Sequence, residues 1–100
     1  MRNISCFILL ITVVLLNACR GDPSIEVPLL FKDLNSKDSG VRNRACLKIG
    51  SYGSDAEIAV PHLVKLLYDP NNGVRTSAAF ALRSIGGEKA QKALDEYKKE

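Results

Sequence analysis

Residues 27–53 read VPLLFKDLNSKDSGVRNRACLKIGSYG, and residues 60–86 read VPHLVKLLYDPNNGVRTSAAFALRSIG. The two stretches align without a gap, Val27 on Val60 through Gly53 on Gly86, and 11 of the 27 pairs are identical. The matches are Val27/Val60, Pro28/Pro61, Leu30/Leu63, Lys32/Lys65, Leu34/Leu67, Gly40/Gly73, Val41/Val74, Arg42/Arg75, Ala45/Ala78, Ser51/Ser84 and Gly53/Gly86. Self-similarity at this period marks stacked supersecondary units, each of which buries its apolar face only against its neighbours. It points to a small helical-repeat binding module and leaves the partner unnamed.

Each unit divides into two helices. In the second unit, Ser54-Asp55-Ala56-Glu57 has the capping-box spacing, which opens a helix reaching about Tyr68. Val60, Leu63, Val64 and Leu67 fall on one stripe of it. Pro61 lies beyond the first turn of a helix capped at Ser54, so the reading expects a bend or a later start there. Asp69-Pro70-Asn71-Asn72-Gly73 then breaks the helix. Asn71 or Asn72 caps the next, from Gly73 to Ile85, which stops at Gly86-Gly87. Its core stripe is Val74, Ala78, Leu82 and Ile85, flanked by Ala79 and Ala81.

The first unit copies the plan, with one helix from Ser24 or Ile25 to about Asn35 and a second from Ser39 to Tyr52. Val41, Ala45, Ile49 and Tyr52 face inward on the second. A fifth helix, Glu88 to about Lys98, places Ala90, Ala93, Leu94 and Tyr97 on one side and reads as half of a third unit. Lys89, Lys92, Asp95, Glu96, Lys98, Lys99 and Glu100 solvate its outer flank, as a terminal unit requires. The expected class is all-α: an α-solenoid of antiparallel helix pairs, two repeats plus a C-terminal capping helix. It spans residues 24–98, with units at 24–53, 54–86 and 87–98.

Upstream the composition changes. Met1-Arg2-Asn3 is a short positive start, and residues 4–16 are apolar apart from Ser5 and Thr12. Leu16-Asn17-Ala18-Cys19 closes the run. This is the layout of a secretory signal, and the run falls short of the roughly 20 apolar residues that a membrane-spanning helix needs. Its ending resembles the lipobox of bacterial lipoproteins, whose cysteine is lipidated and becomes the new N-terminus. The expectation is a signal peptide over residues 1–18, lipid on Cys19 and a polar tether over residues 19–23. Removing the signal takes only Arg2 from the charged set, so 14 Lys+Arg become 13 against 11 Asp+Glu, a net +2. Such a balance argues against an electrostatic binder of polyanions. Cys46 has no disulfide partner left and reads as a small packed side chain.

The pattern Val74-Arg75-x-x-Ala78-Ala79-x-Ala81-Leu82-x-x-Ile85-Gly86 resembles the second helix of HEAT repeats. More narrowly, it looks like the short HEAT-like repeats first associated with phycobilisome lyases. Val60-Pro61-x-Leu63-x-x-Leu66-Leu67 is similar to the first helix of that repeat. The resemblance covers residues 24–97 and implies a solenoid whose second helices line a concave face. It also implies an ion pair between an Asp, set six positions before the repeat's Arg, and an Arg of a neighbouring unit. Asp69 and Arg75 have that spacing, so Asp69 is expected to pair with Arg42 or Arg75; Ser36 replaces the acid in the first unit, and no continuous ladder is expected.

At 100° per residue, Thr76, Phe80 and Arg83 lie opposite the Val74/Ala78/Leu82 stripe, and Asn43, Leu47 and Gly50 are their counterparts one unit earlier. Phe80 is the candidate anchor for a partner, with Leu47, Thr76, Arg83 and Asn43 around it. The competing readings bury Phe80 under a loop or the fifth helix, or leave it as one of the many singly exposed apolar residues. His62, the one histidine, is expected to be exposed on the convex surface. Neither a catalytic set nor a metal site is expected, because His62 lacks companion ligands, and no cofactor is expected. Arg42, Arg44, Lys48 and Arg83 read as a solvated face.

The leading functional reading is a protein–protein interaction module, not an enzyme. It is held in the bacterial cell envelope by lipid on Cys19, with the outer membrane favoured because Arg20 is not acidic. A bilin or chromophore lyase is the enzyme alternative implied by the resemblance; export, small size and the missing acid–base set argue against it. Nucleic-acid binding is disfavoured by the signal and the charge. Two and a half units also leave room for a homo-oligomer.

Overall fold

The computed structural model describes residues 22–99. Cys19 and the apolar run at 4–16 lie outside the described residues. The described chain is helical, in the order α1 (Pro23–Leu34), α2 (Ser39–Ser51), a 3-10 segment (Gly53–Ala59), α3 (Val60–Leu66), α4 (Asn72–Ile85) and α5 (Gly87–Lys99). No strand occurs among the described residues. The five expected α-helices are present, and the fold is an all-α solenoid of paired helices.

Local chemistry sets the boundaries. Asp22 caps α1 by accepting the Ser24 N–H at 3.0 Å, and Pro23 takes the first helical position, where its missing N–H costs nothing. Asp38 caps α2 by accepting the Gly40 N–H at 2.8 Å. Asn71 caps α4 by accepting the Val74 N–H at 3.1 Å. Each unit ends on a glycine in the left-handed region, Gly53 at φ 61° and its counterpart Gly86 at φ 69°. Such a backbone is cheap only without a Cβ, which is why the helices stop there.

The start of the second unit departs from the capping-box expectation but has the bend and later helix start expected from Pro61. Ser54 makes no cap, and residues 53–59 form a 3-10 segment with a kink at Ala56 (φ −99°, ψ 20°). Pro61 is the cause. A continuous α-helix from Ser54 would press its ring against the Glu57 carbonyl and leave that carbonyl without an N–H. Instead the Val60 N–H takes Glu57 O, and α3 restarts with Pro61 in its first turn.

The helices form two layers. α2 and α4 pack side by side in the largest interface; α1, the 3-10 segment, α3 and α5 lie across them. Between the layers Val27, Leu34, Ile49, Leu63, Leu67, Val74 and Leu82 are fully buried, with Ala45 and Ala78 beside them. Ala90 and Leu94 seat α5 on this core. The expected stripes are therefore the ones that pack, except that Val41, Tyr52, Val64, Ala93 and Tyr97 are only partly covered.

Candidate functional site

The two units are joined through the edge that α2 offers to α4. Arg42 reaches across it, donating from Nε to Asp69 Oδ2 at 2.9 Å and from Nη2 to Asp69 Oδ1 at 3.0 Å. Paired, in-plane donors of this kind give the strongest carboxylate–guanidinium contacts. The side chains are only 13% and 6% exposed. Burial works against the charge on Asp69, but the Arg42 guanidinium and the Asn71 N–H at 2.9 Å outweigh it and hold the carboxyl below its ordinary range. Of the two pairings expected for Asp69, the side chain makes the one with Arg42.

Arg75 does something else. Its Nη1 holds the carbonyls of Asp69 at 2.6 Å and Pro70 at 3.2 Å, just as Arg42 Nη1 holds those of Ser36 at 2.8 Å and Lys37 at 3.1 Å. Both arginines thus pin the turn before their own helix. Only Arg42 also meets a carboxylate of the neighbouring unit.

Further along the same edge, Ser77 donates its hydroxyl to Asn43 Oδ1. Beyond that pair, Gly50 comes so close to α4 that a Cβ there would lie 3.0 Å from Ala81 Cα. The contacts advance in the same direction on both helices, so α2 and α4 run parallel. This corrects the expectation for Asn43 and Gly50. Asn43, expected beside Phe80, is half-buried against Ser77, and Gly50, opposite the core stripe of its helix, is buried against Ala81, because the second unit stacks there. A helical wheel gives the side opposite the core but not the side that the next unit takes.

Leu47 and Phe80 stay outside, at 44% and 51% exposure. They are repeat-equivalent positions on parallel neighbouring helices, so both side chains emerge on one side of the α2/α4 layer. Among the described residues, neither a loop nor α5 covers Phe80. Thr76 and Arg83 are exposed as well, at the positions equivalent to Asn43 and Gly50.

The remaining candidates fall into place around this layer. His62 is not a free surface residue: its ring is half-buried and stacks on Phe31, with centroids 4.0 Å apart and planes at 23°. Here too the neighbouring unit covers what a single helix would expose. Cys46 is fully buried, and burial followed by the Asp69 charge pushes its thiol up to about 11. The expected solvated basic face loses Arg42 to Asp69, while Lys48 lies 4.0 Å from Glu26 and Tyr52 donates its hydroxyl to Glu26. No group of three metal-capable side chains occurs among the described residues.

Sequence reasoning missed a second set of exposed apolar side chains, Ile25, Leu29 and Ile58. The repeat carried the signal, since Ile58 stands at the position equivalent to Ile25.

Searches among curated proteins and among solved structures return no match. The family model of HEAT repeats matches residues 27–99. With that match over two stacked helix pairs and a capping helix, the chain belongs to the HEAT repeat family.

Proposed function

We propose that this chain is a membrane-anchored protein-binding module that presents the Leu47/Phe80 side of its second helices to a partner. HEAT repeats are commonly protein-interaction modules. The observation that carries the reading is the exposure of Leu47 and Phe80 at equivalent positions of both units. A large ring held on a rigid helix, beside a second apolar side chain, is the kind of residue that dominates binding energy when a partner covers it. This outward side of the second-helix layer is proposed as the concave face. No enzymatic role is assigned, as His62 is stacked on Phe31 and the Cys46 thiol is buried.

Anchoring belongs to the same proposal. Leu16-Asn17-Ala18-Cys19 supports cleavage before Cys19 and lipid on its thiol, which would hold the repeats at a bilayer of the bacterial envelope, outer membrane favoured. Metabolic labelling with a fatty-acid analogue tests it. Label should enter the natural chain and be lost in Cys19→Ser, which should appear in the soluble fraction or as an uncleaved precursor. Equal labelling of both would refute the anchor.

A further inference from the structure

We infer that the flank of α4 bearing Arg75, Thr76 and Arg83 is a second docking surface, for a partner-protein helix with a carboxylate in the turn that precedes it. The internal repeat supplies the template. α2 receives α4 through three contacts: Arg42 with Asp69, Asn43 with Ser77, and Gly50 against Ala81. The repeat equivalents of the receiving three are Arg75, Thr76 and Arg83. Nothing among the described residues fills that place. Thr76 and Arg83 are exposed, whereas Asn43 is half-buried and Gly50 buried.

Arg75 is already set for the contact. Its Nη1 bonds to Asp69 O and Pro70 O fix the guanidinium plane as the equivalent bonds fix Arg42. Its Nη2 makes only a 3.3 Å contact with Asn72 Oδ1, and its Nε has no partner among the described residues. That is the edge which, in Arg42, binds both oxygens of Asp69. A planar fork held in place loses little freedom on binding a carboxylate.

A second copy of this chain does not fit. Stacked head to tail by the same geometry, it would bring Ser36 to Arg75, Arg44 to Thr76 and Lys48 to Arg83, since these are the repeat equivalents of Asp69, Ser77 and Ala81. Arg75 would meet no carboxylate, and Arg83 would face a like charge. The complementary occupant is a helix with an acid before its N-terminus and small or acidic side chains along the contacting ridge. This inference needs neither the lipid anchor nor Phe80.

A synthetic peptide with the sequence of residues 67–86, held helical by a covalent staple on its outward side, supplies a helix of this description with its own Asp69, Ser77 and Ala81. It would be titrated into the 15N-labelled full chain. Saturable shifts are expected at the Thr76 and Arg83 amides and the Arg75 side-chain N–H. The Asp69→Asn peptide, or Arg75→Gln in the protein, should weaken binding by about fivefold or more, and both together no further than either alone. Thr76→Trp, at an exposed position outside the turn, should block the peptide without disturbing the α1 and α2 signals. The inference is overturned if no saturable shift appears up to millimolar peptide, if the Asn peptide binds equally well, or if the shifts arise from self-association without peptide.

Discussion

Arg42 of the first unit and Asp69 of the second form a two-point ion pair across the repeat boundary, with Nε–Oδ2 at 2.9 Å and Nη2–Oδ1 at 3.0 Å. Asp69 at the same time accepts the Asn71 N–H and so shapes the turn that launches α4. One carboxylate therefore serves both the local turn and the stacking of the units. Asp69→Asn should cost about 2–3 kcal/mol, because it leaves the little-exposed Arg42 guanidinium without its counter-charge. Arg42→Gln should cost a similar amount, and the double variant less than the sum of the two. Chemical denaturation measures all three; additive losses would show that the pair is not coupled.

The same pair fixes a pH dependence. The folded-state pKa of Asp69 is lowered, so its contribution is fully present above the unfolded carboxyl value of about 3.9 and is lost as pH falls through the lower folded value. The stability gap between the natural chain and Asp69→Asn should accordingly be widest near neutrality and close on acidification. Guanidinium unfolding across acid and neutral pH checks the sign; a gap that widened towards acid would contradict it.

Cys46 titrates in the opposite sense. Burial raises its folded pKa to about 11, so the thiol's contribution persists through neutral pH and is lost only as pH rises through that value. Native protein at about pH 8 should leave Cys46 unalkylated by iodoacetamide over hours, while denatured protein reacts within minutes. Mass spectrometry of the Cys46 peptide reads the difference, and fast labelling of the native chain would place the thiol at the surface.

Gly50 marks the tightest approach of α2 to α4. A Cβ there would stand 3.0 Å from Ala81 Cα and 3.3 Å from Ala81 Cβ, so the helices must part to admit it. Overpacking costs roughly 1–3 kcal/mol, and the better helix propensity of alanine returns up to about 1 kcal/mol. Gly50→Ala should therefore lower stability by about 1–2 kcal/mol, and Gly50→Leu by more. A raised melting temperature for Gly50→Ala would mean that the two helices lie farther apart.

The parts of this architecture that sequence carries are those set within one helix or by the constant offset between the two units. Val74, Ala78 and Leu82 announce a core stripe by spacing alone, and Gly53 and Gly86 announce the unit ends; a partner for Asp69 is implied only by the HEAT resemblance, since Ser36 stands at its equivalent position. What one helix cannot announce is its second buried side. Asn43, Gly50 and His62 are covered by a neighbouring unit; of the covering residues, Ser77 and Phe31 carry no pattern of their own, and Ala81 shows only as a flank of the core stripe. Small side chains at 50 and 81 were the available hint, since helices approach closely where Cβ atoms are few. Pro61 shows the reverse case, in which a local steric rule overrode a capping-box motif that the spacing had suggested.

The central claim, that Phe80 anchors a protein partner, is tested most directly by comparing Phe80→Ala with the natural chain in two measurements on the same samples. One is photo-crosslinking of a partner from Leu47 replaced by a diazirine-bearing residue; the other is thermal unfolding. Truncating a covered aromatic anchor typically costs about 2 kcal/mol or more of binding, whereas a ring 51% exposed contributes little to folding. The account predicts a discrete crosslinked species that is lost in Phe80→Ala while the melting temperature barely moves. A crosslink of undiminished yield, accompanied by a lowered melting temperature, would assign Phe80 to the fold and contradict its role in binding.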